Sequence, residues 1–178
     1  MWWPDRLSHT YARLAVAGVL ALALGGCFQP MYGETPILGG TSLRDALRDV
    51  EIAAVDGRVG QEIRNDIIFE LTGGAGNPAG APYKLNLTVS TGNLNPIVDP
   101  TSGIPLVDIV TLDVSYKLFD VSANKTVLSD SALARVSVDR SMQRFARVRA
   151  VRDAENRAAK VVAEQIRARL ASYFLTRA

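Results

Sequence analysis

Histidine and cysteine are almost missing from this 178-residue chain, which holds one of each, His9 and Cys27. Both sit at the start, so residues 28–178 carry neither. That stretch cannot build a Ser-His-Asp or Cys-His nucleophile, a zinc site on His or Cys, or an iron–sulfur cluster. A lone cysteine forms no internal disulfide. Also missing are G-x-G-x-x-G, a P-loop and G-x-S-x-G. Gly73-Gly-Ala-Gly76 is glycine-rich but lacks the Lys-Ser/Thr of a phosphate loop, so it reads as a linker. Charge of one sign is scarce too: outside residues 1–26 the chain keeps 18 basic and 17 acidic side chains. Such a balance gives no bulk attraction to nucleic acid. Carboxylate pairs and a Ser-Lys dyad remain open. Asp66 and Glu70, one helical turn apart, are the enzyme alternative, although an ordinary exposed helix face explains them better.

The longest apolar run near the N-terminus is Leu14–Leu24, 11 residues, preceded by Arg6 and Arg13. It is too short to cross a bilayer as a helix, which takes roughly 20 apolar residues, and it has the length of a signal-peptide core. Leu24-Gly25-Gly26-Cys27 then resembles the bacterial lipobox. Small residues at 25 and 26 let the extended chain enter a peptidase cleft, and the thiol at 27 can be alkylated. Residues 1–26 are therefore expected to be a signal peptide. Cys27 is expected to carry diacylglycerol and an N-acyl chain, enough to hold a protein on a membrane. Residue 28 is Phe, not Asp. By resemblance to lipoprotein sorting in enterobacteria, that favours the outer membrane.

Residues 27–41, with Pro30, Pro36, Gly33, Gly39 and Gly40, read as anchor and tether. Residues 42–178 read as one domain. Ser42–Leu47 has room for one helical turn. Val50–Val55 reads as a short strand closed by Asp56-Gly57. Val59, Ile63, Ile67 and Leu71 make an i, i+4 stripe, so an amphipathic helix, and Gly73-Gly74 stops it. Tyr83–Ser90 alternates, with Tyr83, Leu85, Leu87 and Val89 on one face. Residues 93–105, with Pro96, Pro100, Pro105 and Gly103, read as a loop or strand-edge excursion. Residues 106–139 read as a long antiparallel hairpin. Val110, Leu112, Val114, Tyr116 and Leu118 share one face with Ala132, Ala134, Val136 and Val138. A final long helix starts between Gln143 and Val151, with Val151, Ala154, Ala158, Val162, Ile166, Leu170 and Phe174 in one stripe.

This order predicts an α+β two-layer sandwich, two helices on one face of a four-stranded, mostly antiparallel sheet. The other face is then polar: Lys84, Asn86, Thr88, Thr111, Asp113, Ser115, Lys117, Arg135 and Ser137. It is either a solvated face or a partner surface.

Three segments carry a family resemblance. Cys27-Phe-Gln-Pro-Met-Tyr-Gly33 resembles the start of the mature LPS-assembly lipoproteins of the LptE family, in their alphaproteobacterial form. Val59-Gly-Gln-Glu-Ile-Arg-Asn-Asp66 resembles that family's first helix. Ala158-Ala159 and Ala163-Glu-Gln-Ile-Arg-Ala-Arg-Leu170 resemble its last. The resemblance implies a non-enzymatic role without cofactor or metal. It implies a partnership with the LptD-like outer-membrane β-barrel, whose lumen the domain plugs, and contact with lipopolysaccharide. The alternative is an auxiliary lipoprotein of a lipid-transporting ABC system. Lipopolysaccharide phosphates call for Arg or Lys, and the densest basic cluster is Arg140, Arg144, Arg147, Arg149 and Arg152, with Phe145 inside it. Arg144, Arg147 and Arg149 are the contact candidates, Arg147 falling near a basic position of the family. The family's second basic residue, in the loop before the third strand, has no counterpart in Ile97–Gly103.

Overall fold

The computed structural model describes residues 42–98, 100–103, 105–139 and 143–177. The signal segment, Cys27, the tether and Arg140 lie outside the described residues. Element order is α1 (Leu43–Arg48), β1 (Val50–Ile52), α2 (Arg58–Thr72), β2 (Tyr83–Val98), β3 (Pro105–Asp120), β4 (Lys125–Asp139) and α3 (Arg144–Thr176). The sheet order is β1-β2-β3-β4. β1 runs parallel to β2, and the other pairs are antiparallel. The α+β architecture expected from the sequence is the one observed, with one addition: α1 makes a third, short helix.

α1 forms because Ser42 caps it. The Ser42 hydroxyl accepts from the Asp45 N–H at 3.2 Å and donates to the Asp45 carboxylate at 2.6 Å. Its Leu43 and Leu47 are buried. β1 ends at Ile52, short of Val55, and side chains serve its outer edge and the residue that follows. The Asn77 amide exchanges two hydrogen bonds with the Ile52 backbone, at 2.9 and 3.1 Å. Arg64 Nε donates to the Ala53 carbonyl at 3.2 Å.

α2 buries Ile63, Ile67 and Leu71 and ends at Gly73, whose φ of +68° is the left-handed cap a glycine adopts without strain. Gly60 is also buried here, and a methyl group at its Cα would meet Val55 Cγ1 at 2.6 Å. Alanine is the better helix former by about 1 kcal/mol, but overpacking a closed site costs about 1–3 kcal/mol. Gly60→Ala is therefore expected to destabilise the domain. A urea-unfolding midpoint lower than the parent's checks this.

The stretch 93–105 departs from the expected loop. β2 continues through Pro96 to Val98, β3 already begins at Pro105, and the register shifts between Leu94, Ile97 and Val98. Both prolines fit because, among the described residues, β2 has no strand partner on its outer edge here and Pro105 is the first residue of β3, so neither has a ladder N–H to lose. The β3–β4 turn is held by Asp120, whose carboxylate accepts from Ser122 Oγ at 2.6 Å and the Ala123 N–H at 2.9 Å. These bonds, with Arg177 nearby, hold its carboxyl below the usual carboxylate range.

One face of the sheet packs under α2 and α3. The even positions Val110 to Leu118 are buried, as are Ala132, Ala134 and Val138. α3 contributes Ala154, Ala158, Ala159, Val162, Ala163, Ile166, Leu170, Ala171 and Phe174. The five alanines are fully or almost fully buried and form a small-residue ridge. A smaller cluster of Val110, Val138 and Ala154 lies under the N-terminal part of α3.

Candidate functional site

The two carboxylates singled out as an enzymatic pair sit in different surroundings. Glu70 pairs with Arg167 at 3.4 Å. The Asp66 carboxyl is pushed up by burial and by Glu62 and Glu70, against the pull of Lys160. Among the described residues no cluster of His, Cys, Asp and Glu is arranged to hold a metal ion, and no helix is long and apolar enough to cross a membrane.

The basic cluster has more structure. The first turns of α3 and the start of α2 enclose an open cavity of about 630 Å³, lined by Arg58, Arg144, Arg147, Val148, Val151, Arg152 and Glu155. Two of its arginines are committed. Arg58 forms an ion pair with Glu155 and donates to Asn156 Oδ1 at 3.1 Å. Arg147 Nε sits 3.1 Å from Asp108, a carboxylate only 4% exposed on the helix-covered face of β3. Arg144 and Arg152 pair with no carboxylate among the described residues. The cavity therefore carries excess positive charge over an apolar floor of Val148 and Val151. Such a lining can take the phosphate of an amphiphile, with guanidinium forks for the oxygens and valine for the adjoining hydrocarbon.

Of the three contact candidates, the structure brings Arg144 and Arg147 into this cavity and leaves Arg149 out. Helical spacing decides it: 144, 147, 148, 151 and 155 share one flank, and 149 lies on another. Arg147 also has a structural task, because it neutralises Asp108. Sequence reasoning missed Arg58, which arrives from α2 across a separation of some 90 positions along the chain. It also missed Asp108, which sits at an inward position of β3. Its place among the apolar even positions of that strand was the available signal.

The second candidate surface is the open sheet face. Asn86, Thr88, Asp113, Ser115, Lys117, Arg135 and Ser137 are exposed on it, with Lys84 and Thr111 half-buried. Register aligns Asn86 with Lys117, Thr88 with Ser115 and Thr111 with Arg135, which makes a largely polar surface three strands wide, interrupted by exposed Leu133 opposite Asp113 and by Leu94 opposite Ile109.

The sequence model of one protein family, LptE, described as lipopolysaccharide-assembly, matches residues 46–170. No curated protein matches the chain. Among solved structures, a candidate lipoprotein from Caulobacter crescentus is 25% identical with a TM-score of 0.60, over 74% of this chain and 95% of that one. Rare lipoprotein B from Shewanella oneidensis shares the fold at 14% identity and TM-score 0.54, over 71% of this chain and 96% of its own. A minor lipoprotein from Acinetobacter baumannii does so at 13% and 0.52, over 69% and 90%.

Proposed function

The chain belongs to the LptE family of lipopolysaccharide-assembly proteins, and from that premise we propose that it is a non-catalytic, lipid-anchored outer-membrane partner of an LptD-like β-barrel. The observation that carries the reading is the family match across almost the whole described domain, on a fold whose second sheet face is largely polar and exposed. The lumen of a large outer-membrane barrel is polar, so a plug needs a hydrophilic surface of this kind. The anchor is Cys27, bearing diacylglycerol and an N-acyl chain. Lipopolysaccharide is contacted at the arginine-lined cavity, with Arg144 and Arg152 available for its phosphates. Neither a cofactor nor a metal takes part.

Depletion tests the assignment. Loss of the protein should leave lipopolysaccharide stalled in the periplasm, and normal surface lipopolysaccharide after depletion would refute it. The cavity is tested separately. Arg144→Glu with Arg152→Glu is expected to weaken lipopolysaccharide binding about ten- to a hundredfold, the range for losing one or two charge-assisted contacts. Circular dichroism should not change. Arg147→Glu is unsuitable because it would set a carboxylate against Asp108. Equal binding by the parent and the double variant at low and moderate salt would remove the cavity from the account.

A further inference from the structure

The start of α3 carries a second surface, turned away from the sheet. Phe145 is 86% exposed, the most exposed large hydrophobic side chain among the described residues, and Val148 is 47% exposed. Arg149 and Arg152 are exposed beside them. Positions 145, 148, 149 and 152 form one helical stripe. The opposite side of the helix, Ala150, Val151 and Ala154, packs on Val110 and Val138. No carboxylate occurs from Arg144 to Arg152. Neither Arg149 nor Arg152 is paired by an acid among the described residues. The stripe is thus a small apolar centre between uncompensated guanidinium groups.

Water solvates the guanidiniums well and the ring badly. An apolar protein groove does the reverse, because it would bury two charges without partners. A bilayer surface with anionic headgroups suits both. The ring and the valine reach the acyl boundary while the longer arginine stems leave their heads at phosphate level. We propose that this stripe docks on a membrane surface containing anionic phospholipid, Phe145 and Val148 inserting and Arg149 and Arg152 meeting headgroup phosphates. Two of its four side chains, Val148 and Arg152, also line the lipopolysaccharide cavity, whereas Phe145 and Arg149 lie outside it. It rests on the proposed function only for its setting, a domain tethered at a membrane.

The test uses the full processed, lipidated protein reconstituted in vesicles. With the Cys27 sulfur occupied by lipid, Ala146→Cys supplies one thiol for an environment-sensitive dye, and the parent protein should take up none. Vesicles contain nitroxide-labelled lipid in phosphatidylcholine alone, in phosphatidylcholine with phosphatidylglycerol, or in phosphatidylcholine with lipopolysaccharide. Quenching is expected with phosphatidylglycerol and not with phosphatidylcholine alone. Arg149→Gln should lower the docking equilibrium constant about fivefold, the effect of one basic residue at an anionic surface. Phe145→Ser should reduce it further, and both variants should keep the parent's lipopolysaccharide binding. Equal quenching with and without phosphatidylglycerol would overturn the proposal, as would no quenching with it. Quenching confined to vesicles with lipopolysaccharide would also overturn it, assigning the stripe to the glycolipid and leaving the proposed function standing. Loss of lipopolysaccharide binding in Arg149→Gln would do the same.

Discussion

Ala159→Leu is expected to cost the domain about 2–3 kcal/mol, the upper part of the range for overpacking a closed core. For a domain of this size that corresponds to a fall in Tm of about 5–10 °C. Ala159 is fully buried, as are Ala154, Ala158 and Ala163 on the same helix. Ala132 and Ala134 of β4 belong to the same buried core as the ridge of α3, so small side chains fill part of the layer between sheet and helix. A leucine at 159 adds three carbons at a fully buried position and is expected to push the helix outward. The displacement would strain two anchors of α3, Arg169 on Asp130 at 2.8 Å and Arg167 on Glu70 at 3.4 Å. Ala146→Leu is the control: Ala146 is exposed, and surface substitutions of this kind fall within about 0.5 kcal/mol of neutral. Thermal unfolding followed by circular dichroism should separate the two variants. Equal Tm values would mean that the ridge is not closely packed.

Cys27→Ala is expected to abolish lipid attachment altogether. Alanine offers no sulfur for the thioether, and the chain has no other cysteine. Radiolabelled palmitate should mark the parent and leave the variant unlabelled. The variant should fractionate as an unprocessed or mislocalised form. On the proposed anchor the effect would be all-or-none, because membrane residence would then depend on covalently attached acyl chains, each buried CH2 contributing about 0.8 kcal/mol. The arginines and Phe145 of the α3 stripe add only a weak second contact. Palmitate incorporation into the alanine variant would contradict the assignment of the lipobox.

What was legible in the sequence is what periodicity encodes. Val59, Ile63, Ile67 and Leu71 announced α2, and the alternation from Val110 to Leu118 announced β3, because each element has one covered side. Proline and glycine misled between residues 93 and 105. They are turn signals in isolation, but among the described residues β2 has no partner on its outer edge beyond its short pairing with β1, and such an edge tolerates a missing N–H. The start of α3 was legible only within several residues. Its first turn carries neither a side-chain cap nor an acidic residue, so the usual markers are missing.

The candidate site was half legible. A run of arginines is visible in any reading, yet which of them share a flank follows from the exact phase of the helix. Arg58 could not be assigned to the cavity before the packing of α2 on α3 was known. Asp108 had a readable anomaly, a carboxylate at an inward strand position, and its partner Arg147 was already singled out for another reason. The glycine-rich stretch after α2 was read as a linker, and no helix or strand forms between Gly73 and Pro82. Its Asn77 nevertheless serves as the missing neighbour of β1, a role set by three-dimensional proximity alone. Gly60, inside a segment that resembles the family's first helix, is explained by its closeness to Val55.

The central claim is that this domain works as a bound partner in lipopolysaccharide assembly and catalyses nothing. Affinity purification of the lipidated protein from detergent-solubilised outer membranes, with mass spectrometry of what comes with it, tests that claim most directly. A large outer-membrane β-barrel protein in stoichiometric amount is the predicted result. Recovery of the protein without a barrel, or with inner-membrane permease components instead, would contradict it.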